Sequence, residues 1–228
     1  MCGRYRLNRG WERDLQGMLR FVNEKLDIDE DRVDVRPTDP MPVIRFVDGR
    51  LEVDIRRWGF LRLMPGSPNR ATGKPGKLVR KQLFNAKSET APVLKTFKDA
   101  FRTERCLIPL SSWYEWPERP TGKQKVEIAA RHRRTMLAAG LCETSRAFDN
   151  GEPVKTFTML TTTPNEFLGT VHDRSPLILP EQHYADWLEG DAAQAQALTG
   201  APPDSTAYEL RDVDDEKPDD DKPQLDLL

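Results

Sequence analysis

Four residues have the types and settings to do chemistry. Cys2 directly follows Met1, so removal of Met1 would leave one residue carrying a free α-amine and a thiol on adjacent carbons. No internal cysteine can present that pair of nucleophiles. Glu115 sits among aromatics in "WYEW", where burial would raise a carboxyl pKa toward the range useful in proton transfer. His172 opens "HDRSP" just after a β-prone run, and Asn85 lies in "LFNAKSET". Each has an ordinary structural alternative: a buried terminal Cys, a salt-bridged Glu, a satisfied core His and an Asn at a turn. Strand alternation would put Glu115 on the face of Trp113 and away from Tyr114 and Trp116, which leaves its burial open.

Composition narrows the classes of protein that could use such residues. The chain has 228 residues, 37% hydrophobic and 32% charged, which suits one soluble domain with a tail. Its longest apolar runs are too short to span a bilayer, and no basic segment followed by an apolar one opens the chain. The expectation is a cytoplasmic, nucleoid-associated protein acting as a monomer, without a membrane partner. Cys2, Cys106 and Cys142 are odd in number and lack C-x-x-C spacing, which argues against disulfides and zinc. Cys106 and Cys142 read as core residues, and no metal or cofactor is expected. Residues 211–228 hold eight acidic and three basic residues, a local charge of −5 that leaves +3 on the body. A mildly basic body permits contact with a polyanion.

The elements that must position these residues read as a strand-rich centre flanked by helices. Apolar positions from Trp11 to Leu26 recur at helical spacing, and Val93, Leu94, Phe97 and Phe101 mark a second helical stripe. Residues 41–60 predict a hairpin turning at Asp48 and Gly49, the preferred pair of a type I′ turn. Residues 64–77 are rich in Gly, Pro and basic side chains and predict a surface loop. Short β-prone runs follow: "RCLIPL", "WYEW", "KVEIAA", "TMLAAGL" and "KTFTMLTTT". Two further helices are expected near "PNEFLG" and, starting at Pro180, in "PEQHYADWLEG". Without βαβ alternation, the pattern predicts an α+β fold, a central antiparallel or mixed β core flanked by helices. The domain is placed at residues 2–210, and the acidic, proline-containing segment 211–228 is expected to be disordered.

"CGRY" at the N-terminus, "RPT", "WGF", "NAKSET", "RCLIPLSSWYEW", "FTMLTTTPN" and "VHDRSPLIL", in that order, resemble the SRAP family of SOS-response-associated peptidases. The resemblance runs from Cys2 to about Leu179. It implies a DNA-repair protein that binds abasic sites in single-stranded DNA and is covalently attached through its terminal cysteine. An opened abasic sugar exposes an aldehyde. The Cys2 amine can form a Schiff base with it, and the thiol can then close a five-membered thiazolidine, with the proximity advantage of a tethered nucleophile. An α-amine of pKa about 8 and a thiol of about 8.5 are both partly reactive near neutrality. By resemblance, Glu115 serves as general acid/base, His172 moves protons and assists reversal, and Asn85 holds Cys2 or the sugar. Arg4 and Arg174 match phosphate-binding arginines, and Thr161 matches a backbone-contacting position. Trp116 matches a base-stacking residue, and Pro37 lies in a loop near the strand path. Two departures stand out. Lys87 replaces the usual arginine and loses bidentate geometry. The aromatic pair expected after "WG" is missing, which leaves Trp58 open to a plain core role.

The last five residues, Gln224, Leu225, Asp226, Leu227 and Leu228, resemble the short peptide by which bacterial replication and repair proteins dock on the DNA sliding clamp. A flexible acidic linker would then raise the local concentration of the domain at replication forks. Two other functions fit the same residues: a cysteine-type peptidase with Cys2 as N-terminal nucleophile, releasing itself by autoproteolysis, and a noncovalent reader of modified DNA.

Overall fold

The computed structural model describes residues 2–15, 32–68, 72–74, 76–120, 122–145, 152–200 and 207–213. Its first half runs β1 (Tyr5–Leu7), α1 (Trp11–Leu15), β2 (Arg32–Val35), β3 (Pro40–Val47), β4 (Arg50–Trp58), β5 (Phe60–Pro65), β6 (Leu78–Leu83) and β7 (Asn85–Lys87). Then come α2 (Lys98–Thr103), β8 (Arg105–Leu110), β9 (Ser112–Glu115), β10 (Glu118–Arg119), β11 (Gly122–Lys123) and β12 (Val126–Ala130). The chain continues through β13 (Met136–Ser145), β14 (Val154–Thr162), α3 (Glu166–Gly169), β15 (Ser175–Pro176), α4 (Tyr184–Leu188), α5 (Ala192–Ala197) and β16 (Tyr208–Asp212).

Two sheets organise these elements. The strands β13, β8, β3, β4 and β14 pair in turn, and β14 pairs back onto β13, so the five close into a barrel. The β4–β14 pairing is parallel and the others are antiparallel, which makes the expected mixed core. Closure removes free edges from the ring. A second, open sheet has the order β16-β12-β9-β1-β2. The chain passes from barrel to open sheet at Ser111, the one residue between β8 and β9. Its N–H donates to the Arg6 carbonyl (2.7 Å) and its hydroxyl accepts from the Asn8 N–H (3.0 Å). That corner fixes how β9 leaves the barrel, and so where Glu115 arrives.

Several local expectations are met. Asp48 and Gly49 both have positive φ (50° and 78°) and close the β3–β4 hairpin, as a type I′ turn requires. Cys106 and Cys142 are free and buried. Trp58 is fully buried, donates its Nε1–H to the Phe84 carbonyl (2.8 Å) and stacks on Phe157, a core role.

Others are corrected. The helix expected over 91–101 is confined to α2, while Val93 and Leu94 stand 71% and 47% exposed in preceding turns. Only Phe97 and Phe101 reach the core, so the apparent stripe mixed buried with solvent-facing positions. The loop expected from residue 64 begins later, because β5 extends to Pro65 and pairs with β6. Strand β16 pairs with β12 as far as Asp212, two residues past the boundary placed at 210, and the Val213 N–H bonds the Lys125 carbonyl. Ladder pairing carries Arg211 and Asp212 into the sheet. The expected helix from Trp11 is described only to Leu15; its remainder, residues 214–228 and the terminal pentapeptide lie outside the described residues.

Candidate active site

Three elements converge on the N-terminus. β1 lies beside β9 in antiparallel register, Tyr5 opposite Trp113, and the Tyr114 N–H donates to the Arg4 carbonyl (2.9 Å), which carries the pairing toward Cys2. β7 runs parallel to β14, with Asn85 opposite Met159 and Lys87 opposite Thr161. The segment after α3 returns through His172 to β15, which pairs with the end of β14.

Cys2, Asn85, Glu115 and His172 form one cluster. Asn85 Nδ2 donates to the Cys2 carbonyl (2.6 Å), and its Oδ1 is buried without a hydrogen-bond partner. Cys2 is fully buried with Sγ 3.7 Å from the Arg4 carbonyl. Burial, and after it the charge of Glu115, push the thiol well above its ordinary range. Glu115 is 3% exposed. Burial raises its carboxyl to about 7, with Asp173 adding in the same direction. A carboxyl near 7 is half protonated at neutrality and can give or take a proton.

His172 stands beside the same carboxyl. Its Nδ1 lies 3.0 Å from the Arg174 backbone nitrogen and 2.7 Å from Asp173 Oδ1, two contacts that orient the ring and leave Nε2 facing Glu115. Burial lowers the imidazole below its ordinary value, so the neutral ring prevails at pH 7. Nε2 lies 3.9 Å from Glu115 Oε2, beyond hydrogen-bond length but close enough for a small rotation to join them.

The expected DNA contacts fall into two groups beside this cluster. Arg174, 11% exposed at its side chain, forms a bidentate pair with Glu89 (2.7 and 2.8 Å) and bonds the Thr161 carbonyl. The pair holds Glu89 down at about 2. Thr161 is buried and Lys87 is exposed. On the other side, Arg4 forms a bidentate pair with Asp34, which Arg36 also contacts (2.6 Å), and its guanidinium lies 5.3 Å from the Trp116 ring centroid. Pro37 is half-buried in the loop between β2 and β3, where Thr38 takes a φ of 91° and its N–H bonds the Trp58 carbonyl (2.8 Å). The segment after "WG", from which the aromatic pair is missing, presents Leu63, 51% exposed, on β5.

Sequence reasoning missed Asp34, Glu89 and Asp173. Asp173 had a signal, being next to His172 and 2.7 Å from its Nδ1. Asp34 and Glu89 had none, since their arginine partners lie 30 and 85 residues away along the chain.

A family model described as SOS response associated peptidase (SRAP) matches residues 1–216. The chain belongs to the SRAP family. The SRAP resemblance carried by the order of motifs is thereby borne out. Abasic site processing protein YoaM of Bacillus subtilis is 34% identical over 136 residues, covering 57% of this chain and 59% of that protein. The chain thus spans little more than half the length of that SRAP relative. Abasic site processing protein YedK of Escherichia coli is 24% identical over 200 residues, 86% of this chain and 83% of that one. A crystal structure of a protein from Bacteroides thetaiotaomicron superposes with a TM-score of 0.75 at 18% identity, covering 94% and 93% of the two chains, and shares the fold.

Proposed function

We propose that this SRAP protein captures abasic sites in single-stranded DNA as a covalent thiazolidine through Cys2. Removal of Met1 frees the α-amine. The amine attacks the aldehyde carbon of the opened sugar, and loss of water gives an imine. The thiol then adds across C=N: sulfur bonds to carbon, its proton passes to nitrogen, and one water is released overall. Glu115 protonates the departing hydroxyl and relays the thiol proton, while His172 Nε2 exchanges protons with Glu115. Asn85 fixes the Cys2 backbone so that the amine keeps one direction of approach.

The observation that carries this reading is the cluster itself: a buried carboxyl raised to about 7, beside a cysteine at position two whose carbonyl is pinned by Asn85. The raised thiol favours the amine as first nucleophile, since a hydrolytic cysteine works as a thiolate. Relatives named abasic site processing protein support the choice of lesion. Arg4, Trp116, Pro37, Lys87, Thr161 and Arg174 form the strand path, in which phosphates compete with Asp34 and Glu89 for the two arginines. The terminal pentapeptide docks on the sliding clamp and so holds the domain at the nucleoid.

The test is a denaturing gel of protein incubated with a single-stranded oligonucleotide carrying an abasic site. A shifted band is expected with wild type and none with Cys2→Ala; no band with wild type overturns the reading. Intact mass identifies the reactive form as the one lacking Met1.

A further inference from the structure

The outer face of the open sheet bears a cleft of about 470 Å³. Arg6 is in register with Ser112, and Glu127 with Arg211, so strand alternation puts these four side chains on one face. Trp113 and Tyr208 pack edge to face on the other, core side, the face to which Glu115 belongs. The turn between β12 and β13 adds the exposed Arg131, His132, Arg133 and Arg134 to the cleft rim.

Charge in the cleft is unbalanced. Five arginines line it against two carboxylates, Glu127 and Glu209, both of which have partners, and Arg133 also lies 3.7 Å from Glu181 outside the lining. Ser112 donates its hydroxyl to Glu127 (2.6 Å) at the buried floor, and Glu209 pairs with Arg211. Arg6 and Arg131 each spend one nitrogen on neutral acceptors, Asn8 Oδ1 and the Tyr208 carbonyl. Arg134 makes no hydrogen bond or ion pair to any described residue. Guanidinium forks with open donors match phosphate oxygens. Among the described residues that line the cleft His132 is the single aromatic ring, so a run of bases finds no row of stacking platforms there.

Arg4, just before β1, and Arg6 within it are two residues apart and both run beside β9, the Arg4 carbonyl accepting from the Tyr114 N–H and Arg6 standing opposite Ser112, about 7 Å of extended chain. A strand held at Arg4 can therefore continue into the cleft. We propose that this cleft grips the phosphodiester backbone of DNA leaving the Cys2 site, through charge alone and without reading bases. The proposal rests on the DNA-binding part of the reading above, and not on covalent capture.

The experiment measures affinity of the full chain for a lesion-free single-stranded oligonucleotide as salt is varied. Replacing Arg131, Arg133 and Arg134 by Gln is expected to reduce the slope of log K against log salt by about 2, and affinity at low salt roughly tenfold or more. Arg134→Glu alone, which breaks no bond to a described residue, is expected to reduce the slope by about 1. Slopes and affinities equal to wild type in both variants overturn the proposal. So does displacement of the oligonucleotide by a mononucleotide at equal phosphate concentration, which would mark a site for small phosphates. Wild-type crosslinking to an abasic strand, read in parallel, can fail without touching this result.

Discussion

At Glu115, burial and charge are in direct conflict. The carboxyl is raised from 4.5 to about 7, so the folded chain holds this proton more tightly than the unfolded chain does. Its contribution to stability is fully present below about pH 4.5 and is lost as pH rises through 7, by about 3 kcal/mol in total. Glu115→Gln keeps the shape and removes the ionisation. Urea midpoints are therefore expected to show the variant gaining stability over wild type at about pH 8 relative to pH 5, while crosslinking slows about a hundredfold and loses its pH break near 7. A variant destabilised equally at both pH values would show a structural Glu115 instead. Glu89 has the opposite sign: its pair with Arg174 stabilises above about 4.5 and fades as pH falls through 2. Asn85→Ala is expected to cost about 1 kcal/mol of stability. Its crosslinking rate should fall about tenfold, because the Cys2 carbonyl loses the donor that orients it. Time courses of band formation check this.

Within the elements, two side-chain positions show what the barrel demands. Gly140 on β13 is in register with Cys106, and a Cβ there would come within 2.9 Å of Cys106 Sγ and 2.6 Å of Ile108 Cδ1. Gly140→Ala is expected to cost 1 to about 3 kcal/mol in urea unfolding through overpacking. Arg105, 8% exposed, donates to the carbonyls of Phe101, Arg102, Trp187 and Gly190, joining the ends of α2 and α4 to β8. Arg105→Ala removes the donor from all four, two of the bonds, to the Phe101 and Trp187 carbonyls, being buried, and a loss of about 3 kcal/mol is expected in the same assay. The β3–β4 hairpin could be read directly from sequence because Asp-Gly in a two-residue turn is a local constraint. The start of α2 could not, since Val93 and Leu94 share helical spacing with Phe97 but face water. β16 escaped notice because its Glu, Arg and Asp residues look like tail composition, and only pairing with β12 makes them a strand.

For the whole molecule, the sequence named the four clustered residues but not what surrounds them. Whether Glu115 is covered depended on β9 being enclosed on both faces, all four of its residues being buried, which alternation within one strand does not reveal. Barrel closure likewise needs the parallel β4–β14 pairing, across about a hundred residues of chain. Arg4 and Arg174 were legible as cations, yet each is bound to a carboxylate that only the fold brings near. Deleting residues 214–228 is expected to abolish capture on immobilised sliding clamp while leaving crosslinking to an abasic oligonucleotide unchanged; equal clamp capture by both forms would contradict the docking role. The central claim is the bond itself. Mass spectrometry of the N-terminal peptide from the abasic crosslink is predicted to show Cys2, lacking Met1, joined to the sugar remnant with loss of one water. A crosslinked peptide that retains Met1, or attachment at any other residue, would contradict it.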